Sequence, residues 1–257
     1  MPNVYIAAVL VLMYVPILLV IAYSFNQSRV NSVWTGFSLK WYAELFDDRS
    51  MFEALRNSLI LALSSSVCAA VIGTLGAVGM ADRSSKARHM RVTEYVSTLP
   101  IMIPEIILGM VLLVYFSFLR LPFGMLTLTV AHTSFCIPYV YLMVKARLAG
   151  IDKSYIEAAR DLGAGGARAF WDVTLPLIVP SVASGMLLSF AMSFDDVIIS
   201  VFVTGVNVNT LPIKIYTQLK TGVSPKINAM CTLLFAATVL LGLASAWIGR
   251  PKRHGRE

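Results

Sequence analysis

The sequence predicts an all-α membrane protein that crosses the bilayer six times. Apolar residues make up 57% of its 257 residues and charged residues only 14%, whereas soluble domains carry about 25% charged residues. A hydrocarbon core about 30 Å thick requires roughly 20 helical residues. Six apolar segments reach this length, and we expect them to form one transmembrane domain over residues 1–257. The segments lie at about 4–25, 57–80, 92–118, 125–147, 177–201 and 228–249.

The basic residues predict which side of the membrane each connection faces. The first segment begins at Val4 with no basic residue before it and, at about 22 residues, is too long for a signal-peptide core, so we interpret it as a retained span. The connections 81–91 and 145–175 and the tail hold 13 Lys and Arg, against 8 in the longer opposite connections. By the positive-inside rule, the first group and both termini are cytoplasmic. The net charge of +7 is thus spread over short loops, which does not indicate nucleic-acid binding.

The connection 26–56, between the first two segments, is rich in aromatic residues. Trp41 and Tyr42 alternate there with charged residues such as Lys40 and Glu44. This pattern is typical of a short helix that lies at the membrane interface. Such a helix could anchor the two spans, contact a partner, or do both.

The third segment contains a predicted bend. Pro100 and Pro104 lie four residues apart, and prolines at this spacing free backbone carbonyls, which membranes tolerate where neighbouring helices or a wet cavity satisfy them. Glu105 follows at about mid-depth, and an ionisable group beside such a bend is a candidate pathway residue. The sequence equally allows Glu105 to pair with a polar group of a neighbouring helix.

His132 lies with Thr133 and Ser134 near the start of the fourth segment. These side chains could line a pore, but we favour a histidine that hydrogen-bonds a neighbour and packs. No C-x-x-C pair is present, and we predict no metal site. The three cysteines all lie inside apolar segments and are predicted to be packed thiols.

A polar loop, residues 148–176, joins the fourth and fifth segments. Its apolar residues recur at the spacing of one helix face, namely Tyr155, Ile156, Ala159 and Leu162. They predict one short amphipathic helix. Ser154 and Glu157 form an S-x-x-E capping box at its start, and Gly163 suits the left-handed residue that ends it. The helix either docks on a partner or caps the bundle, in which case Glu157 is only a capping residue.

A polar stripe runs along one face of the fifth segment. Its residues recur at steps of three and four, namely Ser181, Gly185, Ser189, Ser193, Asp196 and Ser200. Asp195 is turned about 100° from Asp196 around the helix. A carboxylate inside the membrane costs on the order of 2.5–3.5 kcal/mol by insertion scales, so two in succession imply a compensating partner or a function. Asp196 could instead cap the helix or pair with a lysine.

The connection 201–227 carries Lys214, Lys220 and Lys226 but no acidic residue. It could meet an acidic partner surface, or hold a short helix between two turns. The chain contains no G-x-x-x-x-G-K-[ST] motif, so we do not expect it to hydrolyse ATP by itself.

Motifs along the whole chain resemble those of one family. Glu157-Ala158-Ala159, then Gly163, closing on Leu175-Pro176, is similar to the EAA loop of the permeases of type I ABC importers. Other stretches resemble the C-type permeases for spermidine and putrescine within that family. These stretches are Tyr23-Ser24-Phe25-Asn26, Trp41-Tyr42, His132-Thr133-Ser134-Phe135-Cys136, Phe194-Asp195-Asp196, Ser200-Val201-Phe202-Val203-Thr204-Gly205, Leu211-Pro212-Ile213-Lys214-Ile215-Tyr216 and Gly222-Val223-Ser224-Pro225.

The resemblance implies the MetI-like permease fold in a bacterial inner membrane and a role in importing polyamines. It also implies a B-type partner permease, two ATPase subunits that bind ATP and Mg, and a periplasmic polyamine-binding protein, with no cofactor in this chain. An ABC permease for another small cationic or amino-acid-like solute is the alternative. A stand-alone secondary transporter is disfavoured because we see no inverted repeat. An intramembrane enzyme is disfavoured because the paired aspartates lack the third Asp of a D-D-x-x-D motif.

The resemblance also assigns residues to roles. The coupling helix that meets the ATPase comprises Ser154, Glu157, Ala158, Ala159, Leu162 and Gly163. Asp196, with Asp195 and Glu105 as lesser candidates, would supply negative charge for a polycation that crosses the membrane. The family often has Ser or Thr after Gly163-Ala164, whereas this chain has Gly165-Gly166, so the start of the second helix of the loop is left open.

Overall fold

The computed structural model describes residues 2–29, 33–81, 88–152, 154–206, 208–222 and 224–248, and these residues form helices joined by short connections. Within them the only β pairing is an isolated antiparallel bridge between Asn26 and Phe37. In chain order the helices are α1 (Pro2–Ser24), α2 (Lys40–Phe46), α3 (Arg49–Ala81), α4 (Arg88–Met102), α5 (Glu105–Phe118), α6 (Met125–Ala149), α7 (Ser154–Asp161), α8 (Gly166–Ala169), a π-helical stretch (Phe170–Thr174), α9 (Leu175–Asp195), α10 (Ile198–Val203), α11 (Leu211–Thr221) and α12 (Pro225–Ile248).

The apolar helices confirm the predicted all-α membrane fold. Among the described residues, four helical segments are long and apolar enough to cross a bilayer, namely Val4–Ser24, Arg49–Ala81, Met125–Ala149 and Gly166–Asp195. Tyr95–Met102 and Glu105–Phe118 form a bent pair, and Pro225–Leu240 is a shorter apolar helix. These segments correspond in order to the six predicted ones. Residue 249 and the basic tail lie outside the described residues, so the single domain over 1–257 stays a prediction.

The third predicted segment is two helices rather than one. α4 and α5 are bent by 112° relative to each other. Pro104 precedes α5 in an extended conformation, with φ −54° and ψ 132°, and a proline there can neither donate a helical hydrogen bond nor fit its ring against the preceding turn. The predicted bend is confirmed, and the span over 92–118 that contains it stays a prediction.

The helix that contains the fifth predicted segment differs from it at both ends, and the span itself stays a prediction. The helix begins at Gly166, because the π-helical stretch carries α8 into α9 without a break. Gly165 precedes this helix in an extended conformation and accepts the N–H of Ala169 at 2.9 Å. At the other end α9 stops at Asp195, because Asp196 is extended, with ψ 127°. This helix therefore ends before residue 201, and α10 is a separate helix.

One compact unit comprises Met1–Phe52 and Ile215–Glu257. In it α1 and α2 pack against α12, and α2 confirms the helix predicted in the aromatic connection. Asn26, which follows α1, and Trp41 of α2 are both buried. The indole N–H of Trp41 donates to the carbonyl oxygen of Asn26 at 2.6 Å, so Trp41 anchors the connection to the end of α1.

An ion pair within the same unit joins the residue before α3 to the first turn of α12. Lys226 Nζ donates to Asp48 Oδ2 at 2.6 Å, and both side chains are largely shielded from solvent. Ser50 Oγ and the Met51 N–H donate to Asp48 Oδ1 at 2.7 and 3.1 Å. Burial alone would raise the pKa of Asp48, but these hydrogen bonds outweigh it and lower that pKa to about 2.

The second compact unit comprises Glu53–Lys214. α6 is buried along most of its length, and its core residues include Leu128, Phe135, Val140 and Val144. α6 packs against α9 and α10, and its Tyr141 hydroxyl donates to the Met80 sulfur of α3 at 3.4 Å. α6 thus forms the frame on which the candidate site residues of α9 and α10 are placed.

Candidate functional site

The start of α7 differs from the predicted one. Asp152 Oδ1 accepts the backbone N–H of Ser154 at 2.9 Å, and this hydrogen bond lowers the pKa of Asp152. Ser154 is already the first residue of the helix, so its side chain is not in the capping position. Among the residues that the structure describes, Ser154 and Glu157 do not form the reciprocal bonds of the predicted capping box, which is therefore wrong.

The end of α7 is as predicted. Gly163 has a φ of +85°, a left-handed conformation that glycine adopts at little cost. The N–H of Gly163 donates to Arg160 O at 2.9 Å and the N–H of Ala164 donates to Ala159 O at 3.0 Å. This pair of bonds is a Schellman motif, and it turns the chain sharply toward α8.

α7 lies on the surface of the chain. None of its described residues is buried, and Ser154, Glu157 and Ala158 are exposed. Beyond its end, Leu162 is 90% exposed. Leu162 and Ala159 line a shallow groove of ≈ 260 Å³ together with residues of α8 and the π-helical stretch. The Leu162 side chain is therefore accessible to a partner.

The small residues of the predicted polar stripe face α6. A Cβ atom on Gly185 would lie 3.0 Å from Val140 Cα, so any larger side chain would push the two backbones apart. The two helices run antiparallel here, so a residue four positions earlier in α6 meets a residue four positions later in α9. Three contacts mark the seam, namely Val140 with Gly185, Cys136 with Ser189 and His132 with Ser193. Small residues let neighbouring membrane helices pack closely, so this part of the stripe is a helix-packing seam.

Asp196 caps α10. Its Oδ1 accepts the N–H of Ile199 at 3.2 Å, and its Oδ2 accepts the N–H and the hydroxyl of Ser200 at 2.9 and 2.8 Å. His132 Nε2 lies 3.4 Å from the same Oδ2, and the Asp196 side chain is only 6% exposed. Asp196 therefore has the capping role that the sequence left open. A pathway role for Asp196 stays a prediction.

The other two predicted carboxylates are exposed on the surface of the chain. Asp195 is the last residue of α9 and Glu105 is the first residue of α5. Ionisable side chains in membrane helices almost always face a bundle interior or a water-filled cavity. Both carboxylates are thus open to water or to a partner, and their place in a pathway stays a prediction.

The structure brings together residues that the sequence did not connect. His132 is fully buried and contacts both Ser193 and Ser200, which confirms its predicted packing. Ser65 of α3 donates to Ser193 Oγ at 2.9 Å. The four-residue spacing between Asp196 and Ser200 was a signal for a cap, but the contacts with α3 and α6 are long-range and leave no local pattern.

The chain is similar to membrane components of transport systems. Residues 69–250 match the family of binding-protein-dependent transport system inner membrane components. Over 254 residues the chain is 39% identical to the spermidine/putrescine transport system permease protein PotC of Escherichia coli (strain K12), covering 98% of this chain and 94% of that protein. Over 241 residues it is 39% identical to the putrescine transport system permease protein PotI of the same organism, covering 91% and 85%.

Solved structures share the fold. A chain of a bacterial ABC transporter involved in the import of the acidic polysaccharide alginate superposes with a TM-score of 0.74 at 14% identity, covering 97% of this chain and 95% of that one. A chain of the MetNI methionine ABC transporter in an inward-facing conformation gives a TM-score of 0.65 at 20% identity, covering 78% and 96%. The chain therefore has the fold of ABC transporter permeases.

Proposed function

The chain belongs to the family of binding-protein-dependent transport system inner membrane components, and we propose that it is a permease subunit of an ATP-driven importer for spermidine, putrescine or both. The observation that carries this proposal is the 39% identity to a spermidine/putrescine permease over 98% of the chain. The chain would form half of the translocation pathway, and a B-type permease would form the other half. A periplasmic binding protein would deliver the substrate to the two permeases.

The exposed loop helix α7 supports a coupling role. We place it on the cytoplasmic side, where the charge pattern of the sequence puts it, against one of two ATPase subunits that bind ATP and Mg. Its rigid end at Gly163 and the uninterrupted helix from Gly166 to Asp195 would pass a movement of the ATPase directly to the membrane helix. Leu162, Ala158 and Ala159 would make the contact, and the exposed Glu157 would fix its direction.

The exposed carboxylates support a cationic substrate. Spermidine and putrescine carry protonated amines at neutral pH, and acidic side chains along a low-dielectric pathway attract and bind cations. Asp195 and Glu105 are open to a partner or to water, so we assign them the direct contact with the amines. Asp196 would act beside them by holding the break between α9 and α10 and by adding negative charge.

Reconstitution of the importer tests this proposal. The chain is assembled in proteoliposomes with its partner permease, ATPase and binding protein, and ATP-dependent uptake of radiolabelled spermidine and putrescine is measured. We expect saturable uptake of at least one polyamine that requires both ATP and the binding protein. Uptake of an aminobutyrate-like solute instead of either polyamine would support the alternative substrate class. Uptake without the ATPase would contradict an ABC importer.

A further inference from the structure

One buried side chain bridges the break that separates α9 from α10. His132 belongs to α6 and is fully buried. Its Nδ1 lies 2.8 Å from Ser193 Oγ, in the last turn of α9. Its Nε2 lies 2.9 Å from Ser200 Oγ, in the first turn of α10. One imidazole ring thus holds the helix ends on both sides of Asp195 and Asp196.

The hydrogen bonds around this ring form a chain with one direction. The Ser200 hydroxyl donates to Asp196 Oδ2, so its oxygen can accept a hydrogen bond from the N–H at His132 Nε2. Nδ1 then has a lone pair and accepts the hydroxyl proton of Ser193. The Ser193 oxygen accepts from Ser65 of α3 at 2.9 Å. Every polar atom in this buried chain has a partner, and such networks fix one arrangement of the groups they join.

The two arms of the imidazole hold different elements. The Nδ1 arm holds the end of α9, which also packs against α6 at Ser189. The Nε2 arm holds the first turn of α10, which packs against α5 and is capped by Asp196. Because Ser200 contacts both His132 and Asp196, loss of the Nε2 arm would change the geometry of the break more than loss of the Nδ1 arm.

We infer that His132 is a positioning residue for transport, which holds the start of α10 and, through Ser200 and Asp196, sets the geometry of the break at which Asp195 presents its carboxylate. His132 does not touch the substrate, because it is fully buried behind the break. This inference rests on the proposed function for the contact between Asp195 and a cation. The geometry of the break itself is independent of that function.

Two conservative substitutions separate the arms. The amide of glutamine can reach the position of Nε2, whereas the shorter asparagine reaches only the position of Nδ1. His132→Gln therefore keeps the contact with Ser200, and His132→Asn loses it. In proteoliposomes we expect His132→Asn to raise the KM for spermidine uptake about threefold or more, because a displaced Asp195 carboxylate binds the amine less well, with Vmax within about twofold. His132→Gln should keep both constants within about twofold of the wild type.

A thiol probe tests the same geometry without transport. Asp195→Cys is introduced beside Cys68→Ser, because Cys68 is exposed. The rate at which a charged methanethiosulfonate modifies position 195 is then compared among His132, His132→Gln and His132→Asn. The Cys68→Ser protein without Asp195→Cys corrects for the two remaining thiols. We expect a rate several-fold different in the asparagine variant and an unchanged rate in the glutamine variant.

The outcomes distinguish this inference from the proposed function. If the wild type takes up neither spermidine nor putrescine, the proposed function fails, and the thiol rates still decide the role of His132. If both substitutions reduce only the amount of assembled importer and leave KM and the thiol rates unchanged, His132 serves packing alone and the inference is wrong. If His132→Asn does not assemble, Ser200→Ala removes the contact with His132 together with the hydroxyl bond to Asp196, and unchanged KM and thiol rates in that variant would overturn the inference.

Discussion

Replacement of Leu162 by serine should weaken the contact between the permease and its ATPase. The Leu162 side chain is 90% exposed in the permease alone, so almost its whole apolar surface is available for burial in a partner. Full burial of a leucine is worth about 1.5–3 kcal/mol, and the lower-middle value of about 2 kcal/mol corresponds to a roughly 30-fold rise in Kd. The stability of the isolated permease should not change, because so exposed a side chain makes few contacts within it.

The Kd is measured by biolayer interferometry between the permease in nanodiscs and its purified ATPase subunit, and the Tm of each variant is recorded beside it. Val206→Ser is a matched control, because Val206 is 100% exposed in the connection predicted to lie on the opposite side of the membrane. We expect a wild-type Kd for this control. A Kd for Leu162→Ser within twofold of the wild-type value would refute the assignment of this surface to the ATPase.

Substitutions at three further positions test the Asp196 cap, the ion pair between Asp48 and Lys226, and the seam between α6 and α9. Asp196→Ala should lower the free energy of unfolding by about 3 kcal/mol, since several donors lose their acceptor. Asp196→Asn should lower it by about 1 kcal/mol because the amide carbonyl can replace Oδ2. Equal losses of Tm in detergent would contradict the cap. The folded-state pKa of Asp48 lies at about 2, below its ordinary value of 3.8, so its stabilisation of about 2 kcal/mol is present above pH 4 and is lost as the pH falls toward 2. Lys226→Met should therefore lower the Tm at pH 7, with a gap that narrows toward pH 2, and a gap independent of pH would count against the ion pair. Gly185→Leu should prevent close packing on α6 and reduce assembled protein, whereas Ser184→Leu, on the exposed side of the same turn, should be tolerated; similar yields would argue against the seam.

The sequence predicted the apolar segments because their length and composition are local properties. The proline pair predicted the bend after α4, and Gly163 predicted the end of α7, since both residues act through their own backbone. The large angle between α4 and α5 was not predictable, because it depends on what each helix packs against. The cap of α7 by Asp152 was missed because Ser154 and Glu157 offered a familiar pattern two residues later.

The interpretation of the fifth segment shows where sequence reasoning stopped. A stripe of glycine and serine at four-residue steps is expected both for a pathway lining and for a packing seam between membrane helices. Only the contacts with α6 distinguish the two, and they place Gly185, Ser189 and Ser193 in a seam. The break after Asp195 was also missed. Asp196 lies in the same four-residue register as the stripe, so its role as the cap of a new helix could not be distinguished from a place in one continuous helix. The roles of Asp195, Asp196 and Glu105 in transport remain predictions.

The central claim is tested most directly by spermidine uptake through the reconstituted importer with wild-type chain and with Asp195→Asn, at matched amounts of assembled complex. The account predicts ATP-dependent accumulation of spermidine by the wild type. It also predicts a KM about tenfold higher in the variant, because one negative charge opposite a protonated amine has been removed. No ATP-dependent uptake of either polyamine by a fully assembled wild-type complex would contradict the account.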